Sequence, residues 1–168
     1  MPFKLTAFKI LLVSVAAIFG AAAQAQTGPN DIVIGTKETR YSNILHEKRE
    51  VWVHVPGNVK KNKTDNRYPV VYVLDGDQHF YSVAGLVHQM SESTGNTAAP
   101  QMIIVAILSP DRTRDFTPTK YLSGFGTDSL FARTSGGAEA FTSYLENELM
   151  PHIDSLYPTA PYRTLIGH

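Results

Sequence analysis

The sequence predicts an α/β fold: a mostly parallel sheet with an antiparallel hairpin at its N-terminal edge. Three observations carry this. Val70–Leu74 and Met102–Leu108 are apolar runs without alternation, the pattern of strands buried on both faces. Segments with apolar residues at helical spacing stand between and after those runs, as a strand–helix–strand crossover requires. The two strand candidates furthest upstream have no helix between them, so they are expected to pair as a hairpin.

Taken in order, the chain opens on a segment separate from this pattern. "MPFKLTAFK" carries two lysines and no acid, and "ILLVSVAAIFGAAA" follows as an apolar core. Ala23 and Ala25 then put small residues at the two positions a signal peptidase reads. The run is short and Ala-rich for a membrane span, which needs roughly 20 apolar residues. No cysteine follows for a lipid anchor. A signal peptide over 1–25, cleaved after Ala25, is therefore expected, with a periplasmic or secreted domain over 26–168 and no stable membrane association after cleavage.

Asp31–Gly35 and Arg49–Pro56 read as the first two strands, the second alternating Val51, Val53 and Val55 against Trp52 and His54. The polar, cationic stretch from Val59 to Tyr68 reads as an exposed loop. The strand over Val70–Leu74 leads into a helix with Phe80, Val83, Ala84, Val87 and Met90 on one face. The strand over Met102–Leu108 leads into a long polar loop. An amphipathic helix follows, with Ala138, Phe141, Leu145 and Leu149 as its stripe and Pro151 expected to kink or end it. Thr164, Leu165 and Ile166 close the pattern as a third buried strand.

Composition narrows the function classes. Of the residues, 43% are apolar and 18% charged, which fits an ordinary globular domain. Fifteen basic residues balance fifteen acidic ones, so no net field draws nucleic acid or an acidic membrane surface. With no cysteine there is no disulfide framework, zinc–thiolate site or thiol nucleophile. No two of the six histidines stand at a metal-ligand spacing such as H-x-H or H-x-x-x-H, and no metal or other cofactor is expected.

Ligands of open α/β sheets sit at the carboxyl ends of the strands. Three such ends are present: Leu74–Asp77, Ile107–Arg112 and Leu165–His168. An apolar strand ending in Gly-His, as at Gly167 and His168, is what precedes the serine of a G-x-S-x-G nucleophile elbow. Ser123 in "LSGFG" and Ser135 in "TSGG" lack the glycine two positions earlier and read as members of a Gly-rich loop. None of the histidines completes a triad with them.

From about Arg49 onward the chain resembles the putative esterase family of α/β-hydrolases, to which esterase D and the siderophore esterases belong. The residues that carry the resemblance are "RYPVVYVLDGDQHF", "IIVAI" with "DRTRDFTPT" after it, and "FTSYLENELMPHIDSLYPTAPYRTLIGH". Phe141, Tyr144, Leu145, Glu148, Leu149, Pro151, Ile153, Tyr157, Tyr162, Arg163, Gly167 and His168 fall on the family's pattern for the helix and strand that lead to the nucleophile.

The resemblance implies the N-terminal half of an α/β-hydrolase fold, with Gly167 and His168 flanking the elbow and the nucleophilic serine directly after His168. It implies a carboxylic-ester hydrolase acting on a small-molecule ester, with the acid and the histidine of the triad further on. No catalytic triad residue lies in this chain, so residues 1–168 alone are expected to be inactive. An acyltransferase on the same fold and a non-catalytic secreted α/β binding protein are the alternatives.

Two stretches remain as site candidates under that resemblance. Asp75–Gly76–Asp77 is either an oxyanion-hole loop, with the Asp77 N–H as donor and Gly76 allowing close approach, or simply a turn. "DRTRDFTPT" either brings Arg112, Arg114 and Asp115 to the active-site mouth as substrate-lining groups, or is pinned by an internal Arg–Asp pair.

Overall fold

Five strands form one mixed sheet in the order β1-β2-β4-β3-β5, with helices on both faces. The computed structural model describes residues 30–57, 66–92, 98–121 and 133–167. The signal-peptide expectation, the Val59–Tyr68 loop for the most part, Ser123 and His168 lie outside these residues. Among the described residues no helix is long and apolar enough to cross a membrane.

The hairpin is present but begins later than expected. β1 is Thr36–Ser42 and β2 is Glu47–His54, paired antiparallel from Thr36 opposite Val53 to Ser42 opposite Glu47. Asp31–Gly35 is not a strand. Apolar content pointed to those residues, yet Ile32 and Val33 are exposed, whereas the polar run TKETRYS takes the strand position. An edge strand is held by backbone pairing on one side and needs no apolar face of its own.

β3 (Tyr68–Val73) and β4 (Ile103–Ile107) run parallel at the centre, and β2 pairs antiparallel with β4 on the other side. Their side chains divide by parity, as a pleat dictates. Val70, Tyr72, Ile103, Val105 and Ile107 face one layer, and Val71, Val73, Ile104 and Ala106 the other. The second layer is α1 (Gly76–Glu92), which buries Phe80 and Ala84.

The first layer is a long helix in three pieces. α3 is Ala138–Tyr144, a π-helical turn spans Leu145–Leu149, and α4 is Met150–Leu156. Pro151 does not end the helix. The N–H of Met150 reaches back five residues to the carbonyl of Leu145, and the widened turn lets Pro151 take the first turn of α4, where a missing N–H costs little. The short helix α2 (Arg112–Phe116) interrupts the long polar loop and was not expected from the sequence.

β5 (Thr159–Ile166) pairs parallel with β3 and closes the sheet. It is a strand as expected, but Thr164, Leu165 and Ile166 are exposed rather than buried. β5 is last in the order, so no strand lies on its outer side among the described residues.

Candidate active site

The ends of β3, β4 and β5 meet on one edge, and Leu74, the residue after β3, joins β3 to β5. Its N–H donates to the carbonyl of Ile166 at 2.9 Å. Its side chain lies where a Cβ on Gly167 would stand, with Cδ1 only 2.9 Å from that point. Gly167 therefore leaves β5 directly against the residue that precedes the Asp75–Gly76–Asp77 turn.

That turn is tightly held. Asp75 sits at φ +50°, in the left-handed region, and its carbonyl accepts the N–H groups of Gln78 at 3.0 Å and His79 at 3.2 Å. These bonds start α1. The amides of Gly76 and Asp77 belong to the first turn, whose N–H groups have no carbonyl of their own helix to meet. A Cβ on Gly76 would lie 2.7 Å from the carbonyl carbon of Ala106 and from the amide nitrogen of Ile107. Only glycine lets the turn approach the end of β4 this closely.

From the end of β4 the chain enters α2 through Asp111, whose side chain accepts the N–H of Arg114 at 2.9 Å and caps the helix. Arg112 is half exposed, stacks over Phe116, and directs its Nε at both carboxylate oxygens of Asp75, at 2.9 and 3.1 Å. Asp75 itself is only 5% exposed.

Asp115 faces inward, and Arg114 is partly buried beside it. Asp115 is 1% exposed and accepts from Arg49 Nη1 at 2.8 Å and from Arg114 Nε at 2.9 Å. Arg114 also grips both oxygens of Glu47, at 2.6 and 3.0 Å. The hydrogen bond from Arg114 is the main cause that holds the Glu47 carboxyl below its usual range, opposed in part by burial. Of the two readings of "DRTRDFTPT", internal pairing describes Arg114 and Asp115. Asp115, turned into the protein, presents no carboxylate to a substrate.

Arg49 was not singled out from the sequence. It is 1% exposed, lies 5.5 Å from the rings of Phe141 and Tyr144, and donates to Glu47 and to the Leu108 carbonyl. A signal for it exists: Arg49 shares the parity of Val51 and Val53 on β2, so an inward-facing cation in need of a partner could have been read from the alternation.

The remaining candidates serve the framework. The hydroxyl of the buried Ser135 accepts the Tyr121 N–H at 2.8 Å. His54 pairs with the Ile34 carbonyl at 2.6 Å, and His152 with Glu38 at 3.1 Å. Arg163 pairs with Asp154 at 2.6 Å. Among the described residues no three His, Asp or Glu side chains gather as a metal site. A cavity of about 370 Å³ opens beside the start of α1, with Asp77, Ser109, Pro110, Lys48 and Glu50 in its wall. A larger one, about 390 Å³, lies away from the strand ends, between β1 and α4.

A mixed sheet of this order, with the helix-opening turn after β3 and a glycine at the end of β5, is the N-terminal part of an α/β-hydrolase fold. Residues 42–168 match the family described as Putative esterase, and the chain belongs to that family. Among solved structures, it is similar to an IroE-like serine hydrolase from Shewanella oneidensis, with 34% identity and a TM-score of 0.73 over 80% of this chain and 42% of that one. It is also similar to the BES protein from Bacillus cereus, with 25% identity and a TM-score of 0.68 over 85% of this chain and 56% of that one. The siderophore hydrolase EstA from Aspergillus nidulans shares the fold at 16% identity, with a TM-score of 0.67 over 84% of this chain and 50% of that one. The chain thus spans about half the length of the structures it matches.

Proposed function

We propose that the whole protein is a serine carboxylic-ester hydrolase and that this chain supplies the oxyanion side of its active site. In this reading the nucleophile is a serine directly following His168, with the acid and the histidine of the triad further along the chain. Serine attacks the ester carbonyl, histidine takes its proton, and the acid holds the histidine tautomer. The oxyanion is received by the Asp77 N–H and by the amide of the residue after the serine. Gly76 lets the Asp77 amide stand close to the end of β4.

The observation that carries the reading is the joint at Leu74. One residue bonds the last carbonyl of β5, packs on Gly167 and leads directly into the Asp75–Gly76–Asp77 turn. Nucleophile and oxyanion donors need this adjacency, and an incidental turn does not. Family membership supports ester hydrolysis as the reaction, and the N-terminal segment supports export after cleavage at Ala25.

The test uses the whole gene product. It is expected to hydrolyse p-nitrophenyl acetate and to be labelled by a fluorophosphonate at the serine after His168, located by peptide mass. The exported form is expected to begin at Gln26. Residues 1–168 alone are expected to turn over no ester, since the nucleophile, its base and one oxyanion donor are missing. Absence of both turnover and label in the whole protein would remove the hydrolase reading.

A further inference from the structure

The Asp75–Arg112 contact goes beyond general packing, and we infer that the two form a positioning pair that fixes the turn through Gly76 so that the Asp77 amide keeps the pose that receives the oxyanion. The inference rests on the hydrolase reading above. It assigns Arg112 a task other than contact with substrate.

Asp75 occupies the left-handed region, which a residue with a side chain adopts when local hydrogen bonds compensate. Here the residue is held from two sides. Its carbonyl receives the Gln78 and His79 amides, and its buried carboxylate receives Arg112 Nε on both oxygens. Rotation of the peptide that carries the Asp75 carbonyl and the Gly76 N–H would break the bonds to Gln78 and His79, while Arg112 holds the side chain on the Cα from which that peptide extends towards Asp77.

Arg112 is in turn placed by the core. It belongs to α2, whose Asp115 is tied to the buried Arg49 and whose Arg114 is tied to Glu47. Two sets of ionic contacts, joined by the backbone of α2, therefore stand between β2 and the turn after β3: one ties Arg114 and Asp115 to Glu47 and Arg49, the other ties Arg112 to Asp75. Oxyanion donors work because they are aimed before charge develops, and groups that lock their pose matter although they touch nothing that reacts.

The test compares wild type, Arg112→Ala, Arg112→Lys, Asp75→Asn and the double variant in the whole protein. Neutral p-nitrophenyl acetate and an ester carrying a carboxylate are both used. Arg112→Ala is expected to lower kcat by about 10- to 100-fold with little change in KM, equally for both esters. Arg112→Lys should recover part of that loss. The double variant should lose no more than the worse single one, because Arg112 acts through Asp75.

A loss confined to the anionic ester, or one that appears in KM, would make Arg112 a substrate contact and overturn the inference. Additive losses in the double variant would do the same. Fluorophosphonate labelling of wild type separates the two levels: an unlabelled wild type removes the hydrolase reading and this inference with it, whereas a labelled, active wild type with an unimpaired Arg112→Ala removes only the positioning pair. If Arg112→Ala does not fold, Asp75→Asn, close to isosteric, carries the same comparison.

Discussion

Gly76 and Ala106 touch backbone to backbone: a Cβ on the glycine would lie 2.7 Å from the alanine carbonyl carbon and 2.8 Å from its Cβ. Neither neighbour is a flexible side-chain tip, so one strand end must move. Gly76→Ala is expected to cost about 1–3 kcal/mol in urea denaturation, as overpacking does. Gly85, inside α1, meets nothing within 4 Å. Gly85→Ala should therefore stabilise the protein by about 0.5–1 kcal/mol. Equal effects at the two glycines would contradict the close approach.

Asp115→Ala leaves Arg49 buried with a weakened set of partners. Breaking a buried pair by removing one partner costs about 3–5 kcal/mol. The urea midpoint should fall accordingly, and the loss should exceed that of Arg163→Ala, which breaks only a partly exposed pair with Asp154. A midpoint unchanged by Asp115→Ala would mean that α2 is not anchored through Arg49.

Glu47 gives an acid-side signature. Its carboxyl is held low chiefly by the Arg114 hydrogen bond, so the unfolded chain takes up the proton first as pH falls. The stability it contributes is present above the ordinary glutamate value of about 4.3 and is lost as pH drops below it, through the lowered folded value. Glu47→Gln should flatten the acid limb of stability against pH while leaving the alkaline limb alone. An unchanged acid limb would show that the Arg114 contact does not persist in solution.

The alkaline limb belongs to phenols. Burial pushes Tyr72 and Tyr144 up to about 12, and Tyr157 is raised further, first by burial and then by its 2.7 Å bond to Glu38. The unfolded chain therefore loses these protons first. Stability is full below about pH 10 and falls as pH rises from there toward the folded values. Replacing Tyr144 by Phe removes one such group and should reduce the slope measured by urea midpoints. A slope no smaller in that variant would count against its burial.

The centre of the sheet was legible because β3 and β4 are apolar on both faces, and only a covered parallel strand needs that. The helix after β3 was legible from its spacing of Phe80, Val83, Ala84 and Val87. β1 was misplaced because an edge strand is specified by partner backbone, which leaves no mark on composition, while the apolar Ile32 and Val33 drew attention upstream. The turn after β3 was visible as Asp-Gly-Asp, but its partner was not. Arg112 lies 37 residues from Asp75, and no local pattern links two charges across a crossover. Arg49 was hidden differently, as a cation standing in line with valines.

The π-turn over Leu145–Leu149 means that this helix contains one residue more than an uninterrupted α-helix of the same rise would hold. Its two halves are consequently out of phase, yet Phe141 and Tyr144 before the insertion and Ile153 after it all reach the same core. A relative without the extra residue would keep both faces only by dropping one position inside the helix. Alignments that confine gaps to loops would then misassign every residue from the turn to the next strand, Glu148 included, whose carboxylate accepts the Asn43 and Ile44 amides at the hairpin tip.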